Sequence, residues 1–228
     1  MLSEKMISLM NEQINKEFYS AYLYFSFANF YEAKGLMGFA SWFKNQAKEE
    51  QAHGMMFYQF LQDNDSSVSL KEISAPNPKF ENLEEPLVAS LNHEKYVTAS
   101  INKIYAQATE EKDYRSVEFL SWFIKEQAEE EASAKALITK MQLFGSSCEG
   151  LYMLNAELGR RKYSDSSMKA SSQGKSNENH RVLNYSTPQG RAMSQKDDAA
   201  FIDLAFYPIL LTVTIIISYM IYILLFKI

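Results

Sequence analysis

The chain has 228 residues with 23 basic and 28 acidic side chains, a formal charge of −5. That mild acidity argues against nucleic-acid binding, which favours a basic surplus or stripe, and the length is ample for a sizeable core with an appendage. The single cysteine, Cys148, excludes an internal disulfide and a four-cysteine zinc or rubredoxin-type site, so nothing points to an oxidising compartment.

The opening Met1-Leu2-Ser3-Glu4-Lys5 has no long apolar run, so no secretory signal is expected. Residues 1–163 carry 17 of the basic and 23 of the acidic side chains, and residues 164–228 carry 6 and 5. The acidity therefore belongs to the first part, which reads as helical. Proline is absent from 1–75 and 87–163, and apolar residues recur at three- and four-residue steps. Ser3 followed by Glu4 starts a first helix that runs to Lys34 and stops at Gly35. A second helix is expected over Met37–Asn64. The polar stretch Asp65–Asn82, broken by Pro76 and Pro78, is a long connection. A third helix is expected over Leu83–Lys112, a fourth over Tyr114–Phe144, and a short fifth over Glu149–Gly159 after the turn Gly145-Ser146-Ser147.

The loop order is short, long, short. In a four-helix bundle the short loops make antiparallel hairpins, and the long one is a crossover that lays helices two and three parallel. An internal repeat agrees with two related hairpins. Ser41-Trp42-Phe43 returns as Ser121-Trp122-Phe123, Glu49-Glu50 as Glu129-Glu130, and Glu17 with Tyr19 as Glu94 with Tyr96. The predicted fold is all-α: a four-helix bundle with a long crossover and a short fifth helix.

Residues 164–200 hold eight serines and one aromatic residue, Tyr185. So little apolar surface cannot offset the entropy of ordering, and a disordered Ser-rich linker is expected. Within 201–228, the 23 residues from Leu204 to Phe226 contain no charge. About 20 apolar residues span a bilayer core, and such a segment behind a polar linker has nothing to bury against, so a single transmembrane helix is expected. Arg191 and Lys196 precede it and Lys227 follows. That bias favours a cytoplasmic helical domain anchored to a membrane at its end.

The core stripes of the four helices carry acids at their middles: Glu17, Glu50, Glu94 and Glu130. No lysine or arginine shares those stripes. Uncompensated buried carboxylates are costly, so four converging ones need cations. Oxygen-rich ligands with one imidazole suit iron or manganese better than a thiolate-seeking metal. Glu50 and His53, three apart, share a helical face and can reach one ion. His93 and His180 read as solvated.

These motifs resemble the ferritin-like di-iron proteins, in which two helices each give a Glu and the other two each give Glu-x-x-His. Glu17, Glu94 and Glu50-x-x-His53 follow that pattern. The fourth helix departs from it, with Gln127-x-x-Glu130 and Ser133 where the second histidine would stand. That departure resembles the non-haem, bacterial-type ferritins. Lys48-Glu49-Glu50-Gln51-Ala52-His53, Lys125-Glu126-Gln127-Ala128-Glu129-Glu130-Glu131 and Glu149-Gly150-Leu151-Tyr152-Met153-Leu154 carry the same likeness over about residues 1–163.

The resemblance implies a ferroxidase that stores iron as a ferric mineral core. One iron of a di-iron centre would be held by Glu17, Glu50 and His53, the other by Glu50, Glu94 and Glu130, with Gln127 nearby. Glu49, Glu126, Glu129 and Glu130 match a third iron position. Tyr24 matches a site tyrosine that can supply an electron, Trp122 does so more weakly, and the other reading of Tyr24 is a core hydrogen bonder. Fe(II) and O2 or H2O2 would be the reactants, and the family assembly would be a homo-oligomeric cage of 24 subunits. In such a cage the fifth helix ends toward the interior, where membrane segments have no place. The linker threads outward, the fifth helix is reversed, the shell does not close, or the tail is removed or poorly expressed. Two other functions compete with storage: membrane-bound iron delivery or scaffolding, and rubrerythrin-like peroxide scavenging, whose rubredoxin-type electron donor the chain lacks.

Overall fold

The computed structural model describes residues 1–163. They form α1 (Glu4–Ala33), α2 (Met37–Asp63), α3 (Glu85–Glu110), α4 (Tyr114–Phe144) and α5 (Cys148–Leu158). The Ser3 hydroxyl caps α1 by accepting from the Met6 N–H at 3.1 Å, and Asp113 caps α4 through the Ser116 N–H. The first helix ends where Gly35 takes φ 73°, letting the Leu36 N–H return to the Tyr31 carbonyl at 2.9 Å. Asp65 and Lys112 take the same left-handed turn, at φ 52° and 56°, after α2 and α3. The third helix starts two residues later than expected, because the Asn82 side chain accepts from the Glu84 and Glu85 N–H groups and holds Leu83 outside the helix.

Side-chain pairings fix the direction of each helix. Along α1 and α3, Ser3 meets Glu111, Lys16 meets Ser100, Tyr24 meets Glu94, and Tyr31 meets Leu83. These helices are antiparallel. Along α2 and α4, Asn64 meets Arg115, Phe60 stacks on Phe119 and His53 meets Trp122, again antiparallel. Since α1 and α2 also form a hairpin, α2 and α3 run parallel, as the long crossover requires. Asn11 pins the start of that crossover by donating to the Ser67 carbonyl and accepting from the Ser69 N–H.

Apolar side chains fill the bundle in two separate clusters. One gathers Tyr24, Phe27, Tyr31, Phe39, Phe43 and Leu137 with Leu154 and Leu158 of α5. The other gathers Met6, Met10, Ile14, Phe57, Ile101 and Phe123. Each fully buried side chain of this size contributes about 1.5–3 kcal/mol. Between the clusters lies a polar layer made of Glu17, Glu50, His53, Glu94, Gln127 and Glu130, all buried.

The fifth helix docks on the start of α2. Leu36 offers α2 no side-chain cap, and Asn155 of α5 takes that role by accepting from the Gly38 N–H at 2.7 Å and the Phe39 N–H at 3.3 Å. Glycine at position 38 makes this approach possible, because a Cβ there would sit 1.7 Å from the Asn155 carbonyl oxygen. Among the described residues no helix is long and apolar enough to cross a membrane. The expected linker at 164–200 and the expected span at 204–226 lie outside the described residues.

Candidate metal centre

Each helix of the bundle delivers one glutamate to the polar layer, and their environments differ. Glu17 has one oxygen, Oε1, accepting from Gln13 Nε2 at 2.8 Å, while Oε2 has no partner. Behind Gln13 runs a donor chain: Lys16 Nζ donates to Ser100 Oγ at 2.6 Å, and Ser100 Oγ donates to Gln13 Oε1 at 2.6 Å. Such a chain polarises the amide and fixes Glu17 Oε1, leaving the other oxygen free. Glu94 is held at both oxygens, by the Tyr24 hydroxyl and by Gln127 Nε2 at 3.2 Å. Glu50 has neither oxygen hydrogen-bonded, and Glu130 Oε2 and His53 Nε2 are likewise without partners.

With the carboxyls ionised, five polar atoms on side chains exposed by 8% or less lack a hydrogen bond, at about 1–3 kcal/mol each, and protonation relieves part of this by letting Glu50 donate to Glu17 and Glu130 to Glu94. Buried native polar groups are nearly always satisfied. The structure explains the exception by geometry. Ligand atoms of Glu17, Glu50 and His53 lie within 4.8 Å of one another, as do those of Glu50, Glu94 and Glu130. A third group joins His53, Glu126 and Glu130 at the same spacing. Any two of these groups share one residue: Glu50, His53 or Glu130. The donor set is carboxylate oxygen with one imidazole and no thiolate, a set that fits iron or manganese.

Burial, and then the neighbouring carboxylates, push Glu50 and Glu130 well above the usual carboxylate range. Burial also raises Glu17, against the opposing pull of His53 and Gln13. Tyr24 is raised first by burial and then by the Glu94, Glu50 and Glu130 charges, so it stays a protonated donor. Divalent cations in the layer would displace protons from these acids.

Of the remaining expected residues, Glu126 is half-buried and belongs to the third group. Glu129 is exposed and Glu49 only partly so, and neither belongs to any of the three. Glu49 instead pairs with Arg161, a cation outside the four core stripes that sequence periodicity could not assign. Trp122 packs edge-on against His53 with centroids 5.5 Å apart. The expectation that His93 is solvated needs correction. It lies one residue from the core stripe, on the flank facing α1, where its Nε2 sits 2.7 Å from Ser20 Oγ and its ring meets Tyr24 edge-on. Burial lowers its pKa to about 4, so it is neutral at pH 7. Gln13 lies on the α1 stripe, and its place four residues before Glu17 was the available signal for a carboxylate-orienting amide.

Comparison with known proteins agrees over the same residues. A family model described as a ferritin-like domain matches residues 7–144. A bacterial non-heme ferritin of Staphylococcus aureus (strain MRSA252) is 33% identical over 165 residues, which is 72% of this chain and 99% of that protein. A probable bacterial non-heme ferritin-like protein of Haemophilus influenzae is 33% identical over 159 residues, covering 70% of this chain and 96% of its own. Among solved structures, an open-pore ferritin from the archaeon Archaeoglobus fulgidus superposes with a TM-score of 0.70 at 36% identity, over 71% of this chain and 100% of the other.

Proposed function

Because the chain belongs to the ferritin family, we propose that it stores iron, oxidising Fe(II) to Fe(III) at the buried carboxylate layer and depositing the product as a ferric mineral. The observation that carries this reading is the set of five unpartnered buried atoms on Glu17, Glu50, His53 and Glu130. Glu17, Glu50 and His53 receive one Fe(II), and Glu50, Glu94 and Glu130 receive the other, with Glu50 shared. Gln127 and Tyr24 hold the carboxylate of Glu94 in place. Hard carboxylate oxygens stabilise Fe(III) over Fe(II) and so favour loss of an electron from each ion. Two Fe(II) supply the two electrons that reduce O2 to H2O2, which takes up two protons. The protonated carboxyls of the layer hold protons beside the metal that cation binding sets free.

A single imidazole leaves the second iron on oxygen ligands alone, the same hard donors that Fe(III) meets in the neighbouring acids and in a ferric mineral. Glu49, Glu126 and Glu129 form an acidic flank through which the ferric product leaves for a mineral. We further propose that chains assemble into a homo-oligomer, and that residues 204–226 anchor the protein to a membrane with the helical domain on the cytoplasmic side; the family shell of 24 subunits is compatible with that anchor only where the shell stays open or the tail leads outward.

The test is iron loading of the full chain in air. Storage predicts that bound iron keeps rising past the three ligand groups per chain and becomes an electron-dense ferric core. A plateau at about two or three iron ions per chain, no more than one for each of the three ligand groups, would contradict storage and support delivery or scaffolding. Rapid peroxide consumption with no iron accumulation would contradict it in favour of a rubrerythrin-like scavenger.

A further inference from the structure

Arg161 lies three residues beyond the last residue of α5 and reaches back onto one face of α2. Its Nη2 donates to both oxygens of Glu49, at 2.8 and 3.0 Å. Its Nη1 donates to Gln46 Oε1, its carbonyl accepts from Asn45 Nδ2 at 3.0 Å, and its guanidinium lies 5.3 Å from the centre of the Trp42 ring. Positions 42, 45, 46 and 49 are one continuous helical stripe, so this is a seat with four partners. Arginine suits it because a flat, weakly hydrated guanidinium can stack and fork at once. A lone surface ion pair would be worth little.

We propose that Arg161 is an internal cation that competes with a metal ion for Glu49, and thereby sets how tightly a third ion is held beside the paired centre. The inference rests on the reading of that centre given above. The third ligand group has His53, Glu126 and Glu130, and Glu49 and Glu129 both stand outside it. Of these two, Glu49 has both oxygens committed to Arg161. A guanidinium has no lone pair to offer a metal, so Glu49 serves either Arg161 or the ion. Glu49 and His53 stand four apart on one face of α2, which places Glu49 and its Arg161 partner beside the third group. With Arg161 seated, a third ion loses one carboxylate and meets a positive charge. It binds weakly and leaves readily, as a position between the oxidation site and a mineral requires.

The experiment titrates the full chain anaerobically with Co(II), following calorimetry and the visible absorption of the bound ion. Two tight ions and one weaker ion are expected. Arg161→Gln should leave the tight pair unchanged and strengthen the weak site about fivefold, the scale of one partly exposed ion pair. Arg161→Lys, which keeps the charge but loses the fork and the stack, should fall between the unaltered chain and Arg161→Gln. Glu49→Gln should weaken the third site, and adding Arg161→Gln to it should then gain clearly less than about fivefold, since only a charge is relieved and no carboxylate is freed. A third-site affinity unmoved by Arg161→Gln, an increase with Arg161→Lys equal to that with Arg161→Gln, or an equally large gain without Glu49 would each overturn the proposal. Failure of the tight pair to bind in the unaltered chain would instead overturn the paired-centre reading, so the two failures are distinct.

Discussion

Glu50 illustrates how a single residue couples stability to chemistry. Both of its oxygens are buried without a hydrogen bond, Oε2 lying 3.5 Å from His53 Nδ1, and burial together with Glu130, Glu94 and Glu17 raises its pKa. Glu17 and Glu130 are raised as well. In the metal-free protein these groups bind protons more tightly when folded than when unfolded. Their penalty is therefore absent below the ordinary glutamate range, about pH 4.3, and grows as pH rises from there through the folded pKa values. A cation removes the penalty by taking the place of the protons. The melting temperature of the metal-free chain, relative to the chain with saturating Zn(II), should thus fall progressively as pH rises above the ordinary glutamate range. Calorimetry in buffers of different ionisation enthalpy should register proton release on binding. A gap that stays constant over that rise in pH would contradict the raised carboxylates.

At the scale of the helices, much of the architecture is legible because each has its own local cause. The Ser3 cap, Gly35, the two prolines of the crossover and the core periodicity fix four long helices to within about two residues. The acids stand out because a charged residue on an apolar stripe is a local anomaly. What local pattern does not reveal is how α5 docks. Asn155 caps a helix more than a hundred residues earlier, and Arg161 then meets Glu49 only because α5 is seated there. Both contacts are set by tertiary structure, and a short polar stretch such as Gly159-Arg160-Arg161 has no periodicity to announce a partner. His93 escapes local pattern for a related reason: a residue beside the core stripe is exposed on a lone helix, but here α1 covers that flank. Asn155→Ala, removing the cap of α2, should cost about 1 kcal/mol. Gly38→Ala should cost more, since the new Cβ meets backbone and α5 must move. Trypsin should then cut at Arg160 and Arg161 faster in Gly38→Ala than in Asn155→Ala, and faster in both than in the unaltered chain. Equal cutting rates in all three would contradict the docking account.

On the scale of the whole molecule, a helical domain as long as its curated relatives is followed by 65 further residues, 164–228, containing the uncharged run 204–226. The helical domain supplies the carboxylate layer on which the proposed paired centre rests, and the proposed anchor would decide where iron stored by it resides. Membranes from cells expressing the full chain, washed with alkaline carbonate, should retain it at its full mass. Release of the intact chain by the wash would contradict the anchor and leave the ferroxidase reading untouched. That reading depends on the carboxylate layer, and on Glu50 above all, because it is the residue common to both iron positions.

The most direct measurement is therefore the initial rate of aerobic Fe(II) oxidation by the full chain carrying Glu50→Ala, followed by ferric absorbance, with circular dichroism as the check on folding. Loss of a shared ligand predicts a helical protein whose fast oxidation falls by at least about tenfold. A Glu50→Ala protein that stays helical and oxidises iron at the unaltered rate would contradict the central claim.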